Sequence, residues 1–460
     1  MNTPIVDFLK EYEARQESRF HMPGHKGKAF LGCEPWDITE VAGADVLGEA
    51  RGIIGKSQAE AARLFGAGET FYSTEGSSQC IKGMLGAALL HWRQSHAGRG
   101  MILAARNVHR AMVDGCALLD LDLEFLPGRG DSLCRVAVTA REVESALEHL
   151  SQKQDREMPV AVYITTPDYL GGMLDVRAIA TVCHAYGTLL LVDHAHGAYL
   201  AFLEGDRHPM RAGADMCCDS AHKTLPVLTG GAYLHVAKRH VGGLSRHVRR
   251  MMTLFGSTSP SYLIMASLDM ANGLLQDGYI EKMRRFTAQV DGWKNKLTER
   301  GIALADAEPW KIVIDAAQHG YTGEETAQEM RGFGMECEFA DRRFVVLMLT
   351  PENGEQDGQR LLEWAAHSML THAPGEPPEI RPYRMRTAQR VMTLREATLA
   401  PSERIPVREA EGRVLAEETV SCPPAIPVGI SGERIDREMI RDFTEYGIDE
   451  VSVVSGLVKE

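Results

Sequence analysis

The chain has 460 residues, 44% of them hydrophobic, enough to bury a large core and to fill roughly two to four domains. Its 63 acidic and 50 basic residues give a formal net charge of -13 without any dense Lys/Arg run, which argues against nucleic-acid backbone binding. Nine scattered cysteines, an odd number without a Cys-x-x-Cys pair, fit a reducing cytoplasm better than a disulfide framework or a zinc module.

The N-terminal segment carries acidic residues where a signal peptide would have an apolar core, and no later stretch reaches the length of a membrane span. The expectation is a soluble, cytoplasmic protein. Thr3 and Pro4 read as the N-cap and first position of a helix that turns Phe8, Leu9 and Tyr12 inward. The segment Arg19-Phe-His-Met-Pro-Gly-His-Lys-Gly27 packs two histidines, a Pro-Gly turn and a lysine together, and His25 is held as a substrate-side candidate. Ser57-Gln-Ala-Glu60 has capping-box spacing and predicts a helix starting there, running to Phe65 and closed by Gly66 and Gly68.

A strand over 70–73 leads into Thr74-Glu-Gly-Ser-Ser-Gln79, after which Ile81, Met84, Leu85, Ala88, Leu89 and Trp92 recur at helical spacing. Strand, Gly-Ser-Ser turn and helix start bring free backbone N–H groups and the hydroxyls of Ser77 and Ser78 to one place, which suits a phosphate. The alternative is that Ser77 simply caps the helix. Strands over 101–105 and 160–165 are each followed by a turn, and Asp175 caps a helix with Val176, Ile179, Ala180 and Cys183 on one face. His109, at the first of these turns, either stacks on a planar ring or satisfies the turn. The repeated strand, loop and helix pattern predicts an α/β fold with a mostly parallel central sheet and helices on both faces. Ligands in such sheets sit at the C-terminal strand ends.

The strand over 189–192 delivers Asp193-His-Ala-His-Gly197 to that edge, and a carboxylate ending an apolar strand asks for a positive partner. His194 and His196, with Asp193 and His222, could instead form a metal set, although Lys223 would be a poor neighbour for a dication. Lys223 lies in Ser220-Ala-His-Lys-Thr224 ahead of Gly230-Gly231 and a strand over 232–236. It reads as an amine whose proton is loosened by removal of water and which can form a Schiff base, the alternative being a surface loop lysine. A phosphate cradle, a stacking histidine, a buried carboxylate and an amine in this order are what pyridoxal 5'-phosphate requires.

Six segments, Phe20-His-Met-Pro-Gly-His-Lys26, Gly76-Ser-Ser78, Asn107-Val-His109, Val192-Asp-His-Ala-His-Gly197, Ser220-Ala-His-Lys223 and Ser257-Thr-Ser-Pro-Ser-Tyr262, resemble successive motifs of the ornithine/lysine/arginine decarboxylases of aspartate-aminotransferase fold, in their short form. The stretches from Ile405 to Ala416 and from Pro423 to Glu433 are similar to that family's small C-terminal domain. The resemblance implies a decarboxylase of arginine, lysine or ornithine, giving agmatine, cadaverine or putrescine. Lys223 would hold the cofactor as an internal aldimine, Asp193 would pair with the pyridine nitrogen, and His109 would stack on the ring. Ser77, Ser78, Ser220 and His222 would surround the phosphate and His196 would line the ring. Lys223 or His222 would return the proton to the substrate carbon.

The resemblance further implies an obligate homodimer in which Ser257 and Thr258 reach the partner's phosphate. Glu433 is the candidate for gripping the substrate's distal cation. Departures from the family pattern are His194 in place of a common Glu, and Pro-Pro-Ala and Ser-Gly-Glu in place of Pro-Pro-Gly and Pro-Gly-Glu. Neighbours on a strand face opposite ways, so His194 need not touch the ring. Rival readings are an aminotransferase or aldolase on the same fold, and a non-catalytic regulator.

The remaining pattern predicts a smaller α/β domain, with helices over 279–300, 324–333 and 359–370 and strands over 311–315 and 344–349. Pro374, Pro377, Pro378 and Pro382 mark a stiff linker. The expected domains are 1–275, 276–372 and 383–460.

Overall fold

The computed structural model describes all residues except 1, 154–156, 372–378, 380–384, 386–387, 422–423 and 457–460; the proline linker therefore lies almost wholly outside the described residues. The largest sheet has seven strands, β1 (Glu69–Ser73), β2 (Met101–Ala104), β3 (Asp122–Phe125), β6 (Ala161–Thr165), β7 (Leu189–Asp193), β8 (Met216–Asp219) and β9 (Ala232–Val236). A small hairpin, β4 (Arg129–Ser132) and β5 (Arg135–Ala137), stands apart from it. The spatial order is β1-β9-β8-β7-β6-β2-β3. Strands β8, β7, β6, β2 and β3 pair in parallel, whereas β9 runs against both its neighbours. The mostly parallel sheet expected from the apolar runs is present, with one reversed strand. Helices cover both faces, which is why the central strands read as unbroken Val, Leu and Ile rather than as alternation.

The second sheet, β10 (Leu304–Ala305), β11 (Lys311–Asp315), β12 (Phe339–Ala340) and β13 (Phe344–Met348), is antiparallel in the order β10-β11-β13-β12. Its helices are Tyr279–Glu299, Gly323–Gly332 and Glu355–His367. The last begins four residues before the predicted start, its first turn held by Asp357, which accepts from Gly354 N. Trp310 stacks on Tyr199 of the larger unit with centroids 3.8 Å apart, and one apolar core runs through both units.

Beyond the linker, β14 (Ser402–Pro406) pairs with β17 (Glu450–Val454) and β15 (Thr419–Ser421) with β16 (Ile426–Gly429). This part is fastened to the loop after β2. Buried Arg106 donates to Pro427 O at 2.8 Å and to Val428 O at 3.0 Å, and Arg110 N donates to Ala425 O at 2.9 Å.

At two helix starts the capping acceptor comes from a distant residue, although the first helix begins at Pro4 with Thr3 at its N-cap position, as expected. The second helix is Ile53–Phe65 rather than one starting at Ser57, and Asp45 serves it, accepting from Gly52 N at 2.7 Å and Ile54 N at 3.0 Å. Ser57 is instead buried against Tyr72 OH and Asp269. The first helix, Pro4–Ala14, takes its cap from Asp269, which accepts from Ile5 N and Val6 N, while Thr3 bonds only to Asp7. No helix among the described residues is long and apolar enough to cross a membrane.

Where the C-terminal part meets the helix Arg110–Leu119, burial and the facing Asp114 carboxylate raise the Glu418 pKa to about 7. The folded state therefore keeps a proton that the unfolded chain loses near pH 4.5, so this group's contribution declines as pH rises between those values. Glu418→Gln is expected to raise the melting temperature at pH 8 and to leave it nearly unchanged at pH 4. An equal shift at both pH values would contradict that assignment.

Candidate active site

The C-terminal ends of β6, β7 and β8 build the site. Leu190, Leu191 and Val192 are wholly buried, and the strand they form carries Asp193 to its end with only 3% of its surface exposed. The carboxylate accepts from Tyr163 OH at 3.3 Å, Ala195 N at 3.2 Å and the Cys218 thiol at 3.7 Å. Among the described residues no cationic side chain reaches it within ion-pair distance, so the positive partner expected from the sequence is not supplied by the chain.

Lys223 projects from the four-residue helix Ala221–Thr224 that follows β8. Burial lowers its pKa, against the opposing pull of Asp193 and then Glu338. Its Nζ is 2.9 Å from His196 Nε2. His196 is buried, and burial followed by the Lys223 charge holds its pKa well below the ordinary value, so its neutral ring accepts from the amine. Lys223 is thus half-buried, with its amine held against a buried ring. His109 sits at the N-cap of the helix Arg110–Leu119 with Nδ1 accepting from Ala111 N at 3.1 Å, so it serves the turn. Burial lowers its pKa, with Asp193 opposing and Lys223 reinforcing, which leaves its ring neutral and its second nitrogen uncommitted to that cap.

Ser77 and Ser78 lie in the first turn of the helix Gly76–Trp92. Neither caps it: the N-cap position is Glu75, without a side-chain capping bond, so Ser77 is not spent as a cap. Gly76 takes a left-handed φ of 73°, which turns the chain sharply out of β1. Ser257 N donates to Glu75 Oε1, which sets the exposed loop of Ser257 and Thr258 beside this turn. Several buried polar atoms have no hydrogen-bond partner among the described residues: Ser220 Oγ, Thr224 Oγ1, His196 Nδ1 and both amide atoms of Asn107. Buried groups of this kind are rare without an absent partner to explain them.

Other sequence candidates are engaged elsewhere in the chain. His222 donates from Nδ1 to Gly231 O at 3.0 Å. His25 pairs with Asp37 at 3.2 Å and accepts from Gly27 N, within the N-terminal segment. Glu433, 5% exposed, accepts from Ile430 N at 2.9 Å inside its own loop. The metal set of His194, His196, Asp193 and His222 is not assembled, because His194 turns away to Asp219 at 2.6 Å while His196 faces Lys223.

The sequence reading missed Tyr163, which is read as core from its place in an apolar strand, and a chain of contacts into the smaller unit. The Tyr169 ring meets His196 edge-on at 5.1 Å and its hydroxyl donates to Glu338 at 2.7 Å. Lys311, wholly buried on β11, donates to Asp168 O at 3.1 Å, and burial lowers its pKa to about 8.

Residues 3–300 match the family described as Orn/Lys/Arg decarboxylase, major domain, and residues 382–447 match the Orn/Lys/Arg decarboxylase, C-terminal domain. The chain belongs to the Orn/Lys/Arg decarboxylase family. It is an amino acid decarboxylase, and the family supports a basic amino acid as its substrate. The chain is 29% identical over 474 residues to an arginine decarboxylase of Bacillus subtilis (strain 168), covering 95% of this chain and 92% of that one. Its fold is similar to that of the E. coli constitutive lysine decarboxylase, with a TM-score of 0.77 at 17% identity over 98% of this chain and 82% of that one. A lesser likeness is to SPT with PLP, TM-score 0.55 at 13% identity, over 80% and 84% of the chains.

Family and fold imply pyridoxal phosphate, and the decarboxylase has the residues to suit it. A buried carboxylate with no cation in ion-pair reach among the described residues, an amine with a lowered pKa, and orphaned hydroxyl and amide groups lie along one strand-end edge.

The lowered pKa has a direct chemical consequence. At pH 8 a limiting amount of an arylating reagent is expected to label Lys223 of the cofactor-free protein ahead of the surface lysines, because more of it is uncharged. Lys311 is shielded by its burial. Peptide mass mapping reads the result, and label confined to surface lysines would contradict it.

Proposed function

We propose that this decarboxylase acts on arginine, lysine or ornithine, releasing CO2 and agmatine, cadaverine or putrescine, with pyridoxal phosphate held by Lys223. The observation that carries the reading is the buried Asp193 carboxylate, without a cation, on the same strand-end edge as an amine whose burial loosens its proton. When bound, the cofactor would accept the electron pair left on the α-carbon as CO2 departs. Asp193 would keep the ring nitrogen protonated, for which its own ionisation in a dry setting is required.

His109 would lie against the ring and His196 beside it. Ser77, Ser78 and Ser220, with His222, would surround the phosphate at the start of the helix Gly76–Trp92. Lys223 Nζ would hold the cofactor, and with substrate bound its amine would be free to carry a proton. His196 Nε2, 2.9 Å from Nζ, is placed to exchange that proton with it. This favours Lys223 over His222 as the donor to the α-carbon, since His222 has committed Nδ1 to Gly231 O.

The same reading includes a homodimer, which exposed apolar side chains support. Phe20 (97% exposed), Phe30 and Leu31 present large apolar side chains in the N-terminal segment, and Ser257 and Thr258 lie on an exposed loop beside the phosphate turn. In that assembly Ser257 and Thr258 would reach the partner's phosphate. Glu433 and His25 would serve the substrate's side. Arginine is the first substrate to assay, because a relative that matches along nearly its whole length is named for it.

The test is release of CO2 from carboxyl-labelled arginine, lysine and ornithine assayed side by side. One of them is expected to give CO2 and its amine, and Lys223→Ala to give none. Asp193→Asn, which removes the charge but keeps the shape, is expected to lose about a hundredfold or more in kcat while melting like the native protein. A keto acid formed without CO2 would overturn the reading.

A further inference from the structure

Behind the strand ends lies a second buried carboxylate, which the decarboxylation does not use. Asp219 closes β8 and immediately precedes Ser220 and the short helix bearing Lys223. Its side chain is wholly buried and faces three imidazoles: His194 Nδ1 at 2.6 Å, His208 Nε2 at 2.9 Å and His235 Nε2 at 3.0 Å.

The second nitrogens fix the protons. His208 Nδ1 accepts from Met210 N at 3.3 Å, and His235 Nδ1 meets the Thr70 hydroxyl at 2.8 Å, so each ring can point its Nε2–H at Asp219. Burial lowers the His208 pKa to about 4, in keeping with a neutral ring. His194, Asp219 and His208 together have the composition of a cation site. The 2.6 to 3.0 Å separations, however, are those of N–H···O bonds, and two of the rings have used both nitrogens.

The residues so tied hold the site. His194 directly follows Asp193. Asp219 leads through Ser220 to Lys223. His235 lies on β9, which begins just after Gly231, the residue whose carbonyl receives His222. The packing leaves little slack: Phe65 lies over His235 at 4.6 Å, and a Cβ on Gly197 would come within 2.2 Å of His194 Nε2. A rigid acceptor thus links the two chain segments that carry the carboxylate and the amine.

We propose that Asp219, acting through the His194 bond, is a positioning residue that sets the separation and orientation of Asp193 and Lys223. The inference rests on the reading of those two residues as the cofactor pair. Borohydride reduction of the native protein loaded with pyridoxal phosphate checks that reading first. Failure to find the adduct on Lys223 would sink the reading itself, independently of Asp219.

Three full-length variants test the inference. His194→Leu keeps the bulk and removes the Nδ1–H donor, whereas His194→Asn puts an amide N–H close to where that donor stood. Asp219→Asn weakens the common acceptor. His194→Leu and Asp219→Asn are expected to weaken pyridoxal phosphate binding about tenfold or more, measured by fluorescence titration, and to alter the visible circular dichroism of the bound cofactor. Their kcat should fall about tenfold, with KM changed less than about threefold. His194→Asn should bring all three readouts back to within about threefold of native.

Native-like affinity and dichroism in His194→Leu would overturn the proposal, as would equal impairment in His194→Asn. If Asp219→Asn does not fold, the two His194 variants decide alone. A His194→Leu chain that no longer melts cooperatively also counts against it, since the bond would then serve folding only.

Discussion

A carboxylate buried inside a protein is tolerated only where something repays the water it has lost, and at Asp193 the described residues repay only part. A phenol, a backbone N–H and a thiol face it, and none carries positive charge. The rest of the structure follows from where that debt is placed. A parallel sheet buried on both faces gathers its strand ends along one edge, and the charge of Asp193 stands there beside the amine of Lys223. The same dryness that makes the carboxylate expensive loosens the proton of the amine. One environment therefore prepares both ends of a cofactor, provided that the cofactor supplies the missing cation.

Three separate parts of the chain hold that edge still. The seven-stranded sheet provides Asp193, His196 and Lys223. The smaller unit reaches in through Glu338, which holds Tyr169 against His196, and through the Trp310 stack on Tyr199. The C-terminal part grips Arg106 and Arg110 on either side of His109. Motion of either outer part would therefore be felt first at the histidines lining the site rather than at Asp193, whose strand is locked between neighbours on both sides.

Much of this was legible from residue order. Apolar runs ending in turns predicted the strands and the sheet edge, and Gly-Ser-Ser before a helical pattern predicted the turn into the helix Gly76–Trp92, because such signals are local. What escaped was set by residues far apart in the chain. Asp45 and Asp269 cap helices whose own N-terminal sequences suggested Ser57 and Thr3, and no spacing rule sees a cap delivered from another element. His194 looked like an oddity beside the aspartate until the fold brought Asp219 to it. Tyr169 and Glu338, joined across two units, carry no motif at all.

The cysteines complete the electrostatic argument. Cys218 lies against Asp193, and both burial and that carboxylate push its thiol pKa well above the ordinary value. Cys217 and Cys80, on neighbouring elements, are driven the same way, first by burial and then by nearby acids. A thiolate in any of these places would bring a second negative charge close to Asp193 and weaken its hold on a positive ring. Kept protonated, the Cys218 thiol instead donates to the carboxylate. The buried thiols of this edge are therefore inert by construction and add no charge beside Asp193.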